Sequence, residues 1–141
     1  MNNYVIREEI INYICFDVLF LSETHLKDGE SLHIDDYQWV GQTRKLNVKR
    51  SQKRIMGGIG FLFKKYLYSN FYIKCNTSIL EGILVCSMIH KMSNFHYIII
   101  GCYLPPVNSF HGRDSETFFN HISTLIVNIL MSVILYLYVG I

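Results

Sequence analysis

The stretch that decides the fold is residues 17–26, which read Asp-Val-Leu-Phe-Leu-Ser-Glu-Thr-His-Leu. The apolar run at 18–21 predicts a short buried strand, and the carboxylate of Glu23 follows directly after its end. In open α/β sheets, ligands and metals bind at the carboxyl ends of the strands. A hard cation such as Mg²⁺ takes one or two carboxylates there, together with waters and substrate phosphates. Glu23 is therefore a candidate metal ligand, and the alternative is a solvated loop glutamate.

Further motifs follow this strand in order along the chain. Basic residues precede a glycine-rich turn and a strand at Arg54–Phe61, and Leu80–Leu84 forms a second strand entry. Residues 97–106 end in Cys-Tyr-Leu-Pro-Pro, after which come Asn-Ser, Gly-Arg-Asp and Phe-Phe. Over roughly residues 5–125 this ordered set resembles the endonuclease/exonuclease/phosphatase superfamily, in the form found in non-LTR retrotransposons. The order of the motifs is more specific than any single motif.

The resemblance implies a fold and a chemistry. The fold is a DNase I-like two-sheet α/β sandwich with mostly antiparallel strands, of which this length supplies a part. Members are Mg²⁺-dependent phosphodiesterases, so Glu23 is expected to hold the metal. Tyr103 stands where members place a tyrosine that contacts the phosphate or positions the nucleophile, and Arg113 is a further candidate phosphate contact. The alternatives are a strand-end aromatic for Tyr103 and a helix-entry residue for Arg113.

The sequence also departs from the family pattern. The family opens with a strand carrying an asparagine well before the glutamate, and Asn2, Asn3 and Asn12 lie too close to Glu23 to replace it. The later Gly-Asp-x-Asn motif and the Asp-His general-base pair have no counterpart among the 141 residues. The resemblance therefore implies a nuclease domain cut at both ends, and we expect no catalytic activity.

The distribution of charge is more informative than the net charge of +2. Six basic residues fall within eleven positions, while acidic residues gather upstream. A basic segment beside an acidic metal-binding edge is typical of an enzyme that holds a polyanion near a cation. The sequence predicts weak, sequence-independent nucleic-acid binding, and the alternative is a solvated loop. The basic residues are Arg44, Lys45, Lys49, Arg50, Lys53 and Arg54.

Other kinds of site find little support in the sequence. The six histidines show no ligand spacing on one helix face, so no zinc site is predicted, and His25 is not counted as a ligand. The glycine-rich turn lacks the Lys-Ser/Thr of a phosphate-binding loop, so no small-molecule cofactor is expected. The four cysteines are widely spaced, and those in apolar runs are predicted to be buried free thiols. With the polar segment Met1–Glu9 in place of a signal peptide, an intracellular location, nuclear or cytoplasmic, is favoured.

The remaining pattern predicts an α/β fold. Apolar spacing indicates a helix over 4–14, and residues 27–56 read as a long connection with a short strand at 37–40. Strands rich in β-branched and aromatic residues are predicted at 58–63, 71–75, 82–90 and 95–103. A helix is predicted to begin near Asp114 or Ser115, with Glu116 in its first turn.

The end of the chain allows two interpretations. Residues 117–141 carry no acid, lysine or arginine, and 122–141 are long and apolar enough for a membrane-spanning helix. No basic cluster flanks that stretch. The resemblance instead implies an amphipathic helix that fits as far as about Asn128, which divides the chain into a partial nuclease-like domain at 1–125 and a divergent apolar tail at 126–141. The two function classes are thus a nuclease-derived domain and a small membrane-associated protein.

Overall fold

The computed structural model describes residues 16–43, 57–105 and 114–139, excluding the side chains of 78, 79 and 132–139. The described residues form six strands and two helices. The strands are β1 (Val18–Ser22), β2 (Tyr37–Gln42), β3 (Ile59–Lys64), β4 (Phe71–Leu80), β5 (Ile83–His90) and β6 (His96–Cys102), and the helices are α1 (Leu67–Asn70) and α2 (Ser115–Val139). The chain divides into two compact units, Met1–Tyr103 and Leu104–Ile141.

The first sheet is antiparallel and has the order β1-β3-β2. Its central strand β3 is buried on both faces, with Ile59, Leu62 and Phe63 each no more than 1% exposed. A strand covered on both sides reads as a continuous apolar run instead of an alternating one. This explains why the strand was predictable from the unbroken apolar pattern that follows Gly58.

The second sheet is also antiparallel and has the order β4-β5-β6. Tight turns join its strands, with Gly82 at φ +87° before β5 and Asn94 at φ +57° before β6. The pairing of β4 with β5 is regular from Phe71 to Asn76 and then shifts before Leu80 pairs with Ile83. The strand β4 is therefore longer than the predicted 71–75, and its second half is irregular.

The two sheets pack face to face around one apolar cluster. The first sheet contributes Ile59, Phe61 and Phe63, and the second contributes Leu84, Cys86 and Met88. Gly101 in β6 makes this close packing possible, because a side chain there would collide with the rings of Phe20 and Phe61. The first unit is thus a two-layer arrangement of antiparallel sheets, and with the helices the chain is mixed α/β, as predicted.

The outer face of the first sheet is covered by the connection between β1 and β2. Ile34 and Tyr37 are buried there against Leu62, with Trp39 packed beside them. The hydroxyl of Tyr37 donates a hydrogen bond to the Phe16 carbonyl at 2.7 Å. The predicted strand at 37–40 is present and extends to Gln42. The predicted helix at 4–14 lies outside the described residues.

The prediction of buried free thiols is wrong. Cys75 and Cys86 are joined by a disulfide, because the antiparallel register of β4 and β5 places them directly opposite each other. Cys102 is a free thiol but is exposed, since it is the last residue of the edge strand β6. Cys15 lies outside the described residues.

The helix α2 begins where the sequence predicts. The carboxylate of Asp114 accepts hydrogen bonds from the backbone N–H groups of Glu116 and Thr117 and from the Thr117 hydroxyl. These bonds satisfy donors that have no partner within the helix, and they hold the pKa of Asp114 below its usual value, with the Thr117 hydroxyl as the largest cause. Within the described part of the chain, no helix is long and apolar enough to cross a membrane.

Candidate functional site

Glu23 follows β1 directly and is fixed by the glycine turn before β3. Its Oε2 accepts the backbone N–H of Gly57 at 3.0 Å. The backbone N–H of Thr24 donates to the Gly58 carbonyl at 3.2 Å, and that of His25 donates to the Gly57 carbonyl at 2.8 Å. These bonds extend the pairing of β1 with β3 beyond the last residue of β1 and ahead of the first residue of β3. The glutamate carboxylate is therefore held at the sheet edge predicted from the sequence.

The backbone around Glu23 is unusual. Both Glu23 and His25 have left-handed backbone conformations, with φ of +54° and +55°. Such a conformation costs a non-glycine residue on the order of 1–3 kcal/mol and persists only where surrounding contacts enforce it. Between the two, Thr24 is 4% exposed and anchors the segment. At this edge the Glu23 side chain is half-buried and the His25 side chain is exposed.

Two glycines make this arrangement possible. Gly57 and Gly58 have φ of +93° and +91°, which favours glycine. A side chain on Gly58 would also lie 2.5 Å from the Thr24 hydroxyl oxygen and 3.4 Å from the Gln42 carbonyl. The glycine pair thus lets three segments of backbone meet beside Glu23.

His25, which was not counted as a ligand from the sequence, lies beside Glu23. Its Nε2 lies 3.8 Å from Glu23 Oε2, and the two side chains are 44% and 35% exposed. An ion pair forms there only when the imidazole is protonated, and at this exposure it contributes little to stability. The imidazole is nevertheless placed to interact with anything that the Glu23 carboxylate binds.

Tyr103 lies on a cleft next to the same glycine turn. The cleft is narrow, with a cavity volume of about 10 Å³, and it is lined by Gln42, Gly58, Ile59, Glu81, Gly82 and Tyr103. The backbone N–H of Tyr103 donates to the Gly82 carbonyl at 2.9 Å, which ties the residue after β6 to the turn before β5. Glu23 bonds to Gly57 and Tyr103 shares a cleft with Gly58, so the two predicted site residues border one turn.

Two residues of this cleft were not predicted. Gln42 ends β2, and its side-chain amide bonds to backbone groups of the β4–β5 hairpin at Thr77, Leu80 and Gly82. Glu81 brings a carboxylate to the cleft from the same hairpin turn. In the sequence, Gln42 could have been recognised as a site residue only from its place as a polar residue at the end of a strand. For Glu81, the signal was its place beside a turn glycine.

The donor set of the site suits a hard cation that keeps water and substrate ligands. Among the described residues, no group of three or more histidine, cysteine, aspartate or glutamate side chains could hold a metal. A carboxylate has about four acceptor positions, so Glu23 retains the capacity to bind a cation while it accepts the Gly57 N–H. A Mg²⁺ ion bound through one carboxylate, waters and phosphate oxygens fits this chemistry.

The remaining predicted site residues lie outside the described residues. These are Arg44, Lys45, Lys49, Arg50, Lys53, Arg54 and Arg113. The first six of these belong to the segment 44–54, and the structure describes the residues on either side of it. The chain leaves β2 after Gln42, which lines the cleft, and returns at Gly57, which bonds to Glu23. The described residues that flank the basic segment on each side, Gln42 and Gly57, therefore border the candidate site.

Comparison of the chain with protein families, with curated proteins and with solved structures finds no match.

Proposed function

We propose that this chain is a retrotransposon-type endonuclease domain that binds Mg²⁺ and a nucleic-acid phosphodiester without cleaving it. The observation that carries the proposal is the position of the Glu23 carboxylate, fixed at the end of β1 by the Gly57 N–H beside the cleft that Tyr103 lines. Residues that serve one phosphate and its metal must converge on one place. Glu23 and Tyr103 come from segments 80 residues apart in the chain and border the same glycine turn.

The architecture supports the same proposal. Two antiparallel sheets pack through a shared apolar cluster, and the acidic residue follows a strand of one sheet while the tyrosine follows a strand of the other. We propose that this arrangement is the corresponding part of a DNase I-like sandwich. The order of the motifs along the chain, glutamate, glycine turn, second strand entry and Tyr-Leu-Pro-Pro, is the basis for that assignment.

Each residue has a distinct role in the proposed site. Glu23 binds the cation, and a cation so placed polarises a phosphodiester and stabilises charge on the leaving oxygen. Tyr103 contacts a phosphate oxygen at the mouth of the cleft that it lines. The basic segment 44–54 holds the nucleic-acid backbone without reading its sequence, because contacts to phosphates carry no direct base information.

We expect no turnover from the 141 residues alone. The family's nucleophile-orienting motif and general-base pair have no counterpart in this sequence. Catalytic residues that act as a unit lose most of their effect when some of them are missing. Binding of cation and phosphodiester is therefore the activity that the present residues support.

The test measures Mg²⁺ affinity by isothermal titration calorimetry. Competition with Mn²⁺, monitored by electron paramagnetic resonance, measures the same affinity independently. Glu23→Gln keeps an acceptor for the Gly57 N–H but removes the charge. We expect it to weaken cation affinity at least about tenfold, equivalent to about 1.4 kcal/mol. Equal affinity in the wild type and in Glu23→Gln would contradict the proposal.

The matched control is Glu30→Gln. Glu30 also accepts one backbone N–H, from Lys27 at 2.8 Å, and it is exposed. The substitution therefore removes the same charge from a carboxylate in a similar local setting. We expect it to leave cation affinity unchanged within about twofold, which corresponds to about 0.4 kcal/mol.

A further inference from the structure

Gln42 connects the two sheets at the cleft. Its side-chain amide, at the end of β2, forms hydrogen bonds with the backbone of the β4–β5 hairpin. Its Nε2 donates to the Thr77 carbonyl at 2.7 Å and to the Leu80 carbonyl at 3.0 Å. Its Oε1 accepts the backbone N–H of Gly82 at 2.8 Å. An amide side chain has two N–H donors and one carbonyl acceptor, so both donors and the acceptor are engaged with one short stretch of backbone.

The hairpin needs these bonds because its own pairing is interrupted there. The register of β4 with β5 shifts between Asn76 and Leu80, within the stretch where Gln42 bonds. An irregular stretch of strand cannot satisfy all its backbone groups within the ladder, and unpaired groups are costly when they are shielded from water. The Gln42 amide replaces part of the ladder and fixes where the hairpin ends.

The same residue touches both walls of the cleft. On one side its backbone carbonyl approaches Gly58, the neighbour of the Gly57 that holds Glu23. On the other side its Oε1 holds the N–H of Gly82, whose carbonyl in turn accepts the N–H of Tyr103. A continuous path of hydrogen bonds thus runs from the Gln42 side chain to Tyr103.

We infer that Gln42 is a positioning residue that places Tyr103 for contact with the phosphate, an inference that rests on the proposed function. Gln42 fixes the side of the cleft that carries Tyr103. Glu23, the proposed cation ligand, is held by a separate bond to Gly57, so a change at Gln42 leaves it in place. Loss of the amide releases the turn at 80–82 and, with it, the backbone anchor of Tyr103. The effect on phosphodiester binding is therefore separable from the effect on cation binding.

The test compares three substitutions on strand β2. Gln42→Leu removes all three hydrogen bonds, whereas Gln42→Glu keeps an acceptor for the Gly82 N–H and loses both donors. Gln38→Leu is the matched control, because Gln38 is an exposed glutamine of the same strand that does not line the cleft. The protein is labelled with 3-fluorotyrosine, and Tyr103→Phe assigns the Tyr103 resonance in the fluorine NMR spectrum.

The readouts are Mg²⁺ affinity and the response of the Tyr103 resonance to a thymidine dinucleotide phosphorothioate added with Mg²⁺. In the wild type and in Gln38→Leu, we expect the dinucleotide to shift the resonance. In Gln42→Leu, we expect dinucleotide affinity to fall at least about tenfold, the usual scale for losing a supporting contact to a site residue. Mg²⁺ affinity should stay within about twofold of the wild type, since Glu23 keeps its bond to Gly57. Gln42→Glu should lose dinucleotide affinity as well, because its carboxylate has no donor for the Thr77 and Leu80 carbonyls.

Each outcome has a distinct meaning. An equal Tyr103 response in the wild type and both Gln42 variants overturns the positioning role and leaves the proposed function standing. A wild type that binds no Mg²⁺, or binds it equally well after Glu23→Gln, overturns the proposed function itself. If the fluorine spectrum shows that Gln42→Leu does not fold, Gln42→Glu decides, and a wild-type response in that variant also overturns the inference.

Discussion

The hydroxyl oxygen of Thr24 occupies the space that a side chain on Gly58 would need. A Cβ atom at Gly58 would lie 2.5 Å from Thr24 Oγ1, and the two residues are also joined by the 3.2 Å bond between the Thr24 N–H and the Gly58 carbonyl. This contact packs the segment after β1 against the glycine turn before β3. It fixes the edge at which Glu23 is presented.

Gly58→Ala should therefore destabilise the protein and disturb the cation site together. The backbone at φ +91° is strained for alanine, and the new methyl group forces Thr24 to move. We expect a loss of about 2–4 kcal/mol, the sum of a strained conformation and an overpacked contact. Urea unfolding measures the loss of stability. The Mg²⁺ affinity measured by titration should fall as well.

The control for that substitution is Gly29→Ala. Gly29 has a similar φ of +82°, but a Cβ there meets nothing within 4 Å. It therefore isolates the conformational strain, which we expect to cost about 1–2 kcal/mol, with no effect on Mg²⁺ affinity. If the two substitutions cost the same, the Thr24 contact does not define the site.

Reduction of the Cys75–Cys86 disulfide should lower the stability of the second sheet. The bond closes a loop of 11 residues in sequence separation, and a loop of that length is worth about 3 kcal/mol in the chain-entropy treatment. Urea unfolding with and without dithiothreitol measures this difference. Cys102→Ser should not alter it, because Cys102 is a free thiol. A double substitution of Cys75 and Cys86 by alanine should abolish the effect of the reductant.

The helix α2 should respond to acid through Asp114. Because hydrogen bonds from Thr117 lower the pKa of this carboxyl in the folded helix, the carboxylate stabilises the helix above the ordinary aspartate pKa of about 3.9. That contribution is lost as the pH falls through the lowered pKa. Circular dichroism at 222 nm between pH 5 and pH 2 should show a loss of helix in the wild type.

Asp114→Asn separates this effect from other titrations. Asparagine keeps an oxygen that can cap the Thr117 N–H, but it does not titrate. The substituted protein should show a smaller loss of helix over the same pH range, with Glu116 unchanged in both proteins. An identical acid transition in the two proteins would show that another carboxyl controls the helix.

The sequence predicted the parts of this structure that depend on local pattern. The apolar runs before Glu23 and after Gly58 identified β1 and β3, and the helix start at Asp114 followed from its capping residue type. The position of Glu23 directly after β1 is also a local property. Such features need no knowledge of which strands become neighbours.

What the sequence could not predict depends on sheet register and packing. The disulfide requires Cys75 and Cys86 to stand opposite each other, which two apolar strands do not reveal by spacing alone. The partners of Gln42 are backbone groups more than 30 residues away, and their position follows from how the sheets pack. The left-handed backbone at both Glu23 and His25, on either side of Thr24, is likewise fixed by bonds to the glycine turn and not by local pattern.

Nucleic-acid binding should depend on the basic segment 44–54 and on salt. Each phosphate neutralised by lysine or arginine releases counterions, so the slope of log affinity against log salt should approach about −0.9 per contact for duplex DNA. With at most six contacts the slope should lie between zero and about −5. Replacing Arg44, Lys45, Lys49, Arg50, Lys53 and Arg54 together by glutamine should abolish binding. Fluorescence anisotropy with labelled duplexes of unrelated sequence, at 50 to 200 mM salt, measures both effects.

Lys27, Lys65 and Lys74 supply the control, because they are exposed lysines elsewhere on the first unit. Replacing all three by glutamine lowers the net charge but should leave most of the affinity and nearly the same salt slope. The quantity to compare is the loss of binding free energy for each positive charge removed. If that loss is the same for these three lysines as for the six basic residues of 44–54, general charge attraction accounts for the binding. Salt-insensitive binding that prefers one duplex sequence would contradict a backbone-directed mode, because such selectivity requires contacts to base edges.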